Sequence, residues 1–387
     1  MKRAAPIIAL LVVVALIGVG MAVSGVPSGA TPEPATSDYD FSRVDAAIER
    51  LMTTYGVDGA SMKVARHGQV IYEGDFGTFD ETTAVTIGSA SKWMSVAALF
   101  TLIEDGTLSL DDRIDKYLDF FPEHSRGITL HQLVSHTSGL KRRTDCVQKY
   151  DLTLMQCVRI IAEDGVRAPP GVEFRYGGVS LHIAAGMAET ATGRPWREIF
   201  KERIVEPLGL KHTQYGKSGL SENPGVAGNL ITSSVDSLKF LQMILDEGEF
   251  EGRRILKPET IRLMEQGHTG SVKREGHLPS RHTKTPHDLY GYGVWRDIVD
   301  AEDNLLVGSS PGKFGAAPWI DRELDLAGTF IVEIKNGGEV AAARPDPAGI
   351  QFLVCDVIDA AENGARPKGS GPNPRCAMHL RRERAGF

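Results

Sequence analysis

The stretch Thr86-Ile87-Gly88-Ser89-Ala90-Ser91-Lys92, followed by the apolar run 93–106, decides how this chain folds. The run from Trp93 to Gly106 predicts one apolar helix that ends at a glycine. Residues three apart share a face of a helix, so the Ser89 hydroxyl and the Lys92 amine are expected to meet. A serine needs an adjacent base to act as a nucleophile, and a helix N-terminus suits a developing oxyanion.

The Ser-x-x-Lys spacing occurs three times, at Ser89/Lys92, Ser138/Lys141 and Ser310/Lys313. Glycine or Pro-Gly follows the second and third serines, so neither of them opens a helix. The alternative interpretation of Ser89 is a helix N-cap, a position that favours serine. The remainder of the chain favours the nucleophile.

The composition is that of a globular protein of 387 residues, with 42% hydrophobic and 24% charged residues. This length can bury a large core, in one domain or in two lobes. The net charge of −7, without a basic stripe, gives no indication of a nucleic-acid partner.

The N-terminus predicts export from the cytoplasm. Lys2 and Arg3 precede an uncharged run that ends at Val23, and small-residue cleavage sites follow it. We interpret residues 1–24 as a signal peptide or an N-terminal membrane anchor, and 25–40 as a flexible stalk. The protein is then anchored in a membrane and faces outward, or it is periplasmic or secreted after cleavage.

Four cysteines fit an oxidising compartment. Local disulfides, Cys146–Cys157 and Cys355–Cys376, are the simplest of three possible pairings. The alternative is that some of these cysteines are small buried hydrophobic residues. His277, His282 and His287 lie in a polar stretch that contains proline, so a solvated loop explains them better than a metal site. We expect no metal and no organic cofactor.

The order of predicted elements is helix, strands, a long helical insert, strands and a last helix. This order predicts an α+β fold with an antiparallel sheet flanked by helices and an all-helical domain inserted in the middle. The sheet domain is assigned to 41–115 and 285–362, the helical domain to 116–284 and a mobile tail to 363–387.

Tyr176 ends a loop that starts with Pro169-Pro170-Gly171 and precedes a predicted helix. A phenol near a lysine can pass a proton between a nucleophile and a leaving group when its pKa is lowered. The alternative is a half-buried packing residue.

The segment Ser309-Ser310-Pro311-Gly312-Lys313 is predicted to open a late edge strand. Gly312 allows close backbone approach, and the Lys313 N–H is a candidate oxyanion donor beside that of Ser89. The alternatives are a strand-entry turn with nothing bound, or the nucleophile elbow G-x-S-x-G around Ser310. The elbow needs a helix after it and a downstream histidine, for which only His379 remains.

The chain from about Phe41 to Ala361 resembles the serine β-lactamase-related family, which includes class C β-lactamases, D-alanyl-D-alanine carboxypeptidases and esterases. Besides Ser89/Lys92 and Tyr176, the stretch 133–140 is close to the family pattern Leu-x-Ser-His-Thr-Ser-Gly-Leu, and 229–233 before a helix fits too. The resemblance implies a β-lactamase/transpeptidase-like fold, with the site between the two domains. It also implies acylation of Ser89, with Lys92 and Tyr176 managing protons.

Two departures bear on the substrate. Gly178 replaces the asparagine of the family's Tyr-x-Asn, and Ser310-Pro311-Gly312 replaces Lys-Thr-Gly or His-x-Gly. Gly178, Ser310 and Gly312 are still expected to line the substrate site. The loss of an amide and a cation favours an esterase with a small-molecule ester substrate. A β-lactamase or carboxypeptidase acting on amide bonds would need Lys313 or an arginine such as Arg175 to supply the charge. The alternative from another class is an exported, catalytically inactive binding protein.

Overall fold

A computed structural model describes residues 39–216, 222–270, 272–275, 288–335, 349–363 and 376. The N-terminal segment 1–24, the stalk up to residue 38, the three histidines of 276–287 and His379 lie outside the described residues. No helix among those described is long and apolar enough to cross a membrane.

The strands build one large sheet and several small ones. In chain order they are β1 (Gly59–Arg66), β2 (Gln69–Gly77), β3 (Val85–Thr86), β4 (Glu173–Phe174), β5 (Gln214–Tyr215), β6 (Leu230–Thr232), β7 (Glu249–Phe250), β8 (Arg253–Arg254), β9 (Lys273–Arg274), β10 (Trp295–Val299), β11 (Leu305–Ser309), β12 (Ala317–Asp321) and β13 (Leu326–Val332). The main sheet has the order β10-β11-β12-β13-β1-β2, and every pair in it is antiparallel. Strands from the two ends of the chain therefore meet at the β13–β1 pair.

The helices cover both faces of this sheet. In chain order they are α1 (Ser42–Tyr55), α2 (Ser91–Glu104), α3 (Glu123–Arg126), α4 (Leu130–Val134), α5 (Leu154–Asp164), α6 (Val179–Thr192), α7 (Trp196–Phe200), α8 (Ser234–Leu245), α9 (Pro258–Glu265) and α10 (Ile350–Asn363). Along β13, Phe330 packs with α1 and α10, and the next residue, Ile331, packs in the core that contains α2 and α8. This alternation follows from the two-residue repeat of a strand. The antiparallel sheet flanked by helices that the sequence predicts is confirmed.

Helix α2 lies at the centre of the larger core. Every residue from Ser91 to Leu102 is buried, because the helix is apolar nearly all round rather than on one stripe. Helix α8 is tied to the sheet by a hydrogen bond of 2.8 Å between the hydroxyls of Ser237 and Thr329. Trp93 at the start of α2 packs edge-on against Phe240 of α8 with ring centroids 6.1 Å apart, which positions the start of α2 relative to the sheet.

The structure corrects one strand assignment that matters for the site. Residues 310–316 form the connection between β11 and β12, so Lys313 does not lie on a strand. Strand β11 also pairs on both sides, with β10 and β12, and is not an edge strand. Glycines at 312 and 315 and a proline at 311 explain why regular pairing stops there. The connection leads into a strand, not a helix, which excludes the nucleophile elbow around Ser310.

Candidate active site

Ser89 lies in a 3-10 turn, Gly88–Ala90, that leads directly into α2. Gly88 has a left-handed φ of +57°, which favours glycine. The turn directs the Ser89 hydroxyl toward Lys92, whose Nζ lies 2.9 Å from Ser89 Oγ. The same Nζ donates to the carbonyl of Ala227 at 2.9 Å. The contact predicted from helical spacing is therefore present.

Lys92 is buried, with only 2% of its surface exposed. Burial and, to a smaller extent, the charge of Arg143 lower the pKa of its amine from 10.5 to about 7. A large fraction of the amine is therefore neutral at neutral pH. A neutral amine within hydrogen-bond reach of a hydroxyl is able to accept its proton.

Tyr176 lies over Lys92, in a cluster of aromatic side chains. The Lys92 Nζ is 4.6 Å from the centre of the Tyr176 ring. The ring packs against His136, Trp295 and Tyr290 at centroid distances of 4.9, 4.8 and 5.7 Å. These contacts fix the plane of the ring. The structure thus brings Tyr176 to the Ser89–Lys92 pair, and the ring face supplies the contact with Lys92.

Arg142, on a separate segment of the chain, holds the backbone around Tyr176 in place. Its Nε donates to the Tyr176 carbonyl at 2.8 Å, and its own carbonyl accepts from the Gly178 N–H at 3.0 Å. A Cβ at Gly177 would lie 2.1 Å from the Arg142 carbonyl oxygen, so only glycine fits there. Gly178 begins α6 with φ −99°, and a Cβ on it would make ordinary contacts with Ala227 and Val147.

The connection 310–316 passes directly beside the Ser89 turn. A Cβ on Gly312 would lie 1.9 Å from the Ile87 carbonyl oxygen, and one on Gly88 would lie 2.8 Å from the Lys313 nitrogen. Within the described part of the chain, the Lys313 N–H donates to no acceptor. Ser310 is buried at the end of β11. Although Lys313 lies on a connection and not on a strand, its N–H is close to Ser89, where a second oxyanion donor is needed.

The cysteines form the disulfides Cys146–Cys157 and Cys355–Cys376. The first closes a loop beside the site: Asn223 donates to the Cys146 carbonyl at 2.8 Å, and its Oδ1 contacts the His182 ring on α6 at 3.3 Å. Burial lowers the pKa of His182 to about 4, so the ring is neutral at neutral pH. The loop and the start of α6 are thereby joined through buried polar contacts.

Three features of the site escape sequence reasoning. The Ala227 carbonyl that holds Lys92 is a backbone group, and no residue type marks it. Tyr290 and Trp295 are far from Tyr176 in sequence, in a stretch whose pattern predicts strands. His136 lies in the quoted 133–140 motif and has a left-handed φ of 60°, but the motif alone assigns it no contact. Burial and the Lys92 charge hold the pKa of the His136 ring well below its usual range.

A sequence profile of the β-lactamase family matches residues 44–349, which is most of the chain. The chain belongs to the β-lactamase family. It is 25% identical over 281 residues to penicillin-binding protein 4 of Amycolatopsis lactamdurans, covering 60% of this chain and 72% of that protein. It is 26% identical over 197 residues to the esterase EstB of Burkholderia gladioli, covering 44% of this chain and 50% of that protein.

Solved structures of the β-lactamase family share the fold. A candidate β-lactamase from Bacteroides dorei superposes with a TM-score of 0.76 at 30% identity, covering 83% of this chain and 99% of that one. A penicillin-binding protein homologue from Pyrococcus abyssi superposes with a TM-score of 0.66 at 22% identity, covering 89% and 81%. The fold is thus β-lactamase/transpeptidase-like, and the protein is a serine hydrolase. The boundaries between sheet and helical domains at 115/116 and 284/285 stay predictions.

Proposed function

We propose that this protein hydrolyses carboxylic esters through an acyl-enzyme formed on Ser89, with Lys92 as the base. One observation carries the proposal. The Lys92 amine lies 2.9 Å from the Ser89 hydroxyl, and its pKa is about 7 because it is buried. A nucleophile and a base with this geometry and a pKa near the working pH are the parts that acyl transfer needs.

In the first half of the reaction, neutral Lys92 takes the Ser89 proton as Oγ forms a bond to the ester carbonyl carbon. The carbonyl oxygen becomes an oxyanion, for which the N–H groups of Ser89 and Lys313 are the candidate donors. The bond to the alcohol oxygen then breaks, and Tyr176 or Lys92 returns the proton to that oxygen. In the second half, water loses a proton to the same groups and attacks the acyl carbon, which releases the acid and restores Ser89.

The ester preference rests on the two departures at the substrate-binding positions. Ser310 offers a neutral hydroxyl where the family has a cation, and Gly178 offers no side-chain amide. A carboxylate that loses its charged partner forfeits ~1.5–3 kcal/mol, or roughly 10- to 100-fold in affinity. Similarity to the esterase EstB supports this substrate class. Similarity to penicillin-binding protein 4 supports the rival class, β-lactams or D-Ala-D-Ala peptides.

The test of substrate class compares kcat/KM for p-nitrophenyl butyrate, a chromogenic cephalosporin and a D-Ala-D-Ala peptide on one preparation. We expect the ester to be the best substrate, and Ser89→Ala to be inactive on all three. The double variant Ser310→Lys/Gly178→Asn is expected to move selectivity toward substrates that carry a carboxylate, and a Cβ at 178 would make only ordinary van der Waals contacts. A native preference for the cephalosporin would overturn the ester assignment. No turnover of any substrate would favour the inactive binding protein.

We further propose that the protein acts outside the cytoplasm. The charged start and apolar run of residues 1–24 and the disulfides Cys146–Cys157 and Cys355–Cys376 support this location. Fractionation of cells that express the full chain is expected to find it in the membrane, periplasmic or secreted fraction. Recovery of the full-length chain with free thiols from the cytoplasm alone would contradict export.

A further inference from the structure

Three arginines lie on the two segments that meet at Tyr176, Arg142 and Arg143 on one and Arg175 on the other, and they differ in what holds them. Arg142 binds the Tyr176 carbonyl, as described above. Arg175 forms an ion pair with Glu173 at 2.7 Å, so its charge is already compensated. Arg143 is exposed, and no acceptor or carboxylate within the described part of the chain pairs with its side chain. Of the three, Arg143 is the cation that is left available to a ligand.

Arg143 is also placed close to the reacting groups. The neighbouring Arg142 has its backbone in direct contact with Gly177, and consecutive Cα atoms are about 3.8 Å apart. The Arg143 backbone therefore lies next to the segment from Tyr176 to Gly178. The Arg143 charge reaches Lys92 strongly enough to help lower the pKa of that amine.

The cation on the other side of the site is oriented differently. Lys313 is exposed, and its ammonium lies 5.7 Å from the centre of the adjacent Phe314 ring. Its side of the site presents the neutral hydroxyl of Ser310. Position 310 itself therefore carries no positive charge, where the family has it, and Arg143 supplies one on the Tyr176 side.

We propose that Arg143 binds a negatively charged group of the substrate on the Tyr176 side, so that the enzyme selects esters that carry a carboxylate there. This inference rests on the proposed ester hydrolysis and narrows its substrate class. A guanidinium pairs with a carboxylate in a planar, two-pronged geometry that a neutral ester cannot use. Exposure of the Arg143 side chain weakens such a pair, so we expect a preference of roughly twofold to fivefold for the anionic ester.

The experiment compares matched esters in which a carboxylate is replaced by its methyl ester. On the acyl side, 4-nitrophenyl hydrogen adipate is compared with methyl 4-nitrophenyl adipate. On the alcohol side, 4-butyryloxybenzoate is compared with its methyl ester, and each kcat/KM of this pair is divided by the rate constant of hydroxide-catalysed hydrolysis, because the two phenols differ as leaving groups. The ratio of kcat/KM within each pair is measured for the native enzyme, Arg143→Ala, Arg143→Lys and the control Arg253→Ala, an exposed arginine on β8. The ratio cancels any effect of Arg143 on Lys92, because that effect is common to both esters of a pair.

We expect the native enzyme to prefer the anionic ester in at least one pair, which also tells on which side of the scissile bond the charge binds. Arg143→Ala should bring that ratio close to one, Arg143→Lys should keep part of it, and Arg253→Ala should keep all of it. Raising the salt to 0.5 M should shrink the native ratio. Hydrolysis of neutral esters with a ratio that Arg143→Ala does not change would overturn the inference and leave ester hydrolysis standing. No turnover of any of these esters would overturn both.

Discussion

The substitution Lys92→Met is expected to abolish turnover and, at neutral pH, to stabilise the fold. Burial lowers the pKa of Lys92 from 10.5 to about 7. Each unit of pKa corresponds to ~1.36 kcal/mol, so the protonated amine destabilises the folded state by roughly 5 kcal/mol. At pH 7, where the folded-state amine is about half neutral, this penalty is still ~4 kcal/mol, and it falls to ~1 kcal/mol by pH 10.

The gain is smaller than the penalty, because methionine leaves the Ala227 carbonyl without the donor that Lys92 supplies. A buried acceptor left unpaired costs ~1–3 kcal/mol. We therefore expect Lys92→Met to raise the free energy of unfolding by ~1–3 kcal/mol at pH 7 and to give no gain, or a loss, by pH 10. The direction of this pH dependence follows from the number of protons that the folded and unfolded states bind. Between the two pKa values the unfolded chain binds more protons, so the native enzyme gains stability as the pH rises.

The assay is urea unfolding of both proteins at pH 6, 7, 8 and 9, with Lys211→Met, a substitution of an exposed lysine, as the control. The stability difference between Lys92→Met and the native enzyme should shrink steadily as the pH rises. The control should show no such trend. A stability difference that stays constant from pH 6 to pH 9, or a variant less stable than the native enzyme at pH 6, would refute the claim that burial lowers the pKa of the Lys92 amine.

Three further changes test the parts around Lys92. Tyr176→Phe keeps the ring that contacts Lys92 and removes only the hydroxyl, so we expect kcat for esters to fall by roughly 10² with an unchanged melting temperature; an unchanged kcat would make Tyr176 a packing residue. Gly312→Ala places a Cβ against the Ile87 carbonyl and displaces the Lys313 N–H. We expect kcat to drop by roughly 10²–10³, because this is the usual effect of losing an oxyanion donor. Full activity of this variant would show that the Lys313 N–H is not an oxyanion donor. The double variant Cys146→Ala/Cys157→Ala should lose ~2–3 kcal/mol in urea unfolding, since an 11-residue loop is released, and an unchanged unfolding midpoint would show that the disulfide contributes nothing.

Local pattern was enough to predict much of this fold. The helix predicted after the Tyr176 loop is present as α6, and it ends at Gly193, whose left-handed φ of +67° terminates it. The Ser89–Lys92 contact followed from helical spacing alone. In both cases the deciding interactions join residues near each other in sequence.

Sequence reasoning failed where distant segments meet. The first of the late strands, β10, begins only at Trp295, because Gly293 just before it has a left-handed φ of +83° and contacts α2. The Ala227 carbonyl reaches Lys92 across 135 residues of chain. Contacts of this kind depend on tertiary packing, which overrides local preference.

The most direct test of the account is to identify the serine that becomes acylated. A fluorophosphonate probe is allowed to react with the purified full chain, and the labelled peptide is identified by mass spectrometry, with Ser89→Ala and Ser310→Ala treated in parallel. The account predicts label on Ser89, no label and no ester turnover in Ser89→Ala, and retained labelling in Ser310→Ala. Label on Ser310, or continued ester turnover by Ser89→Ala, would contradict it.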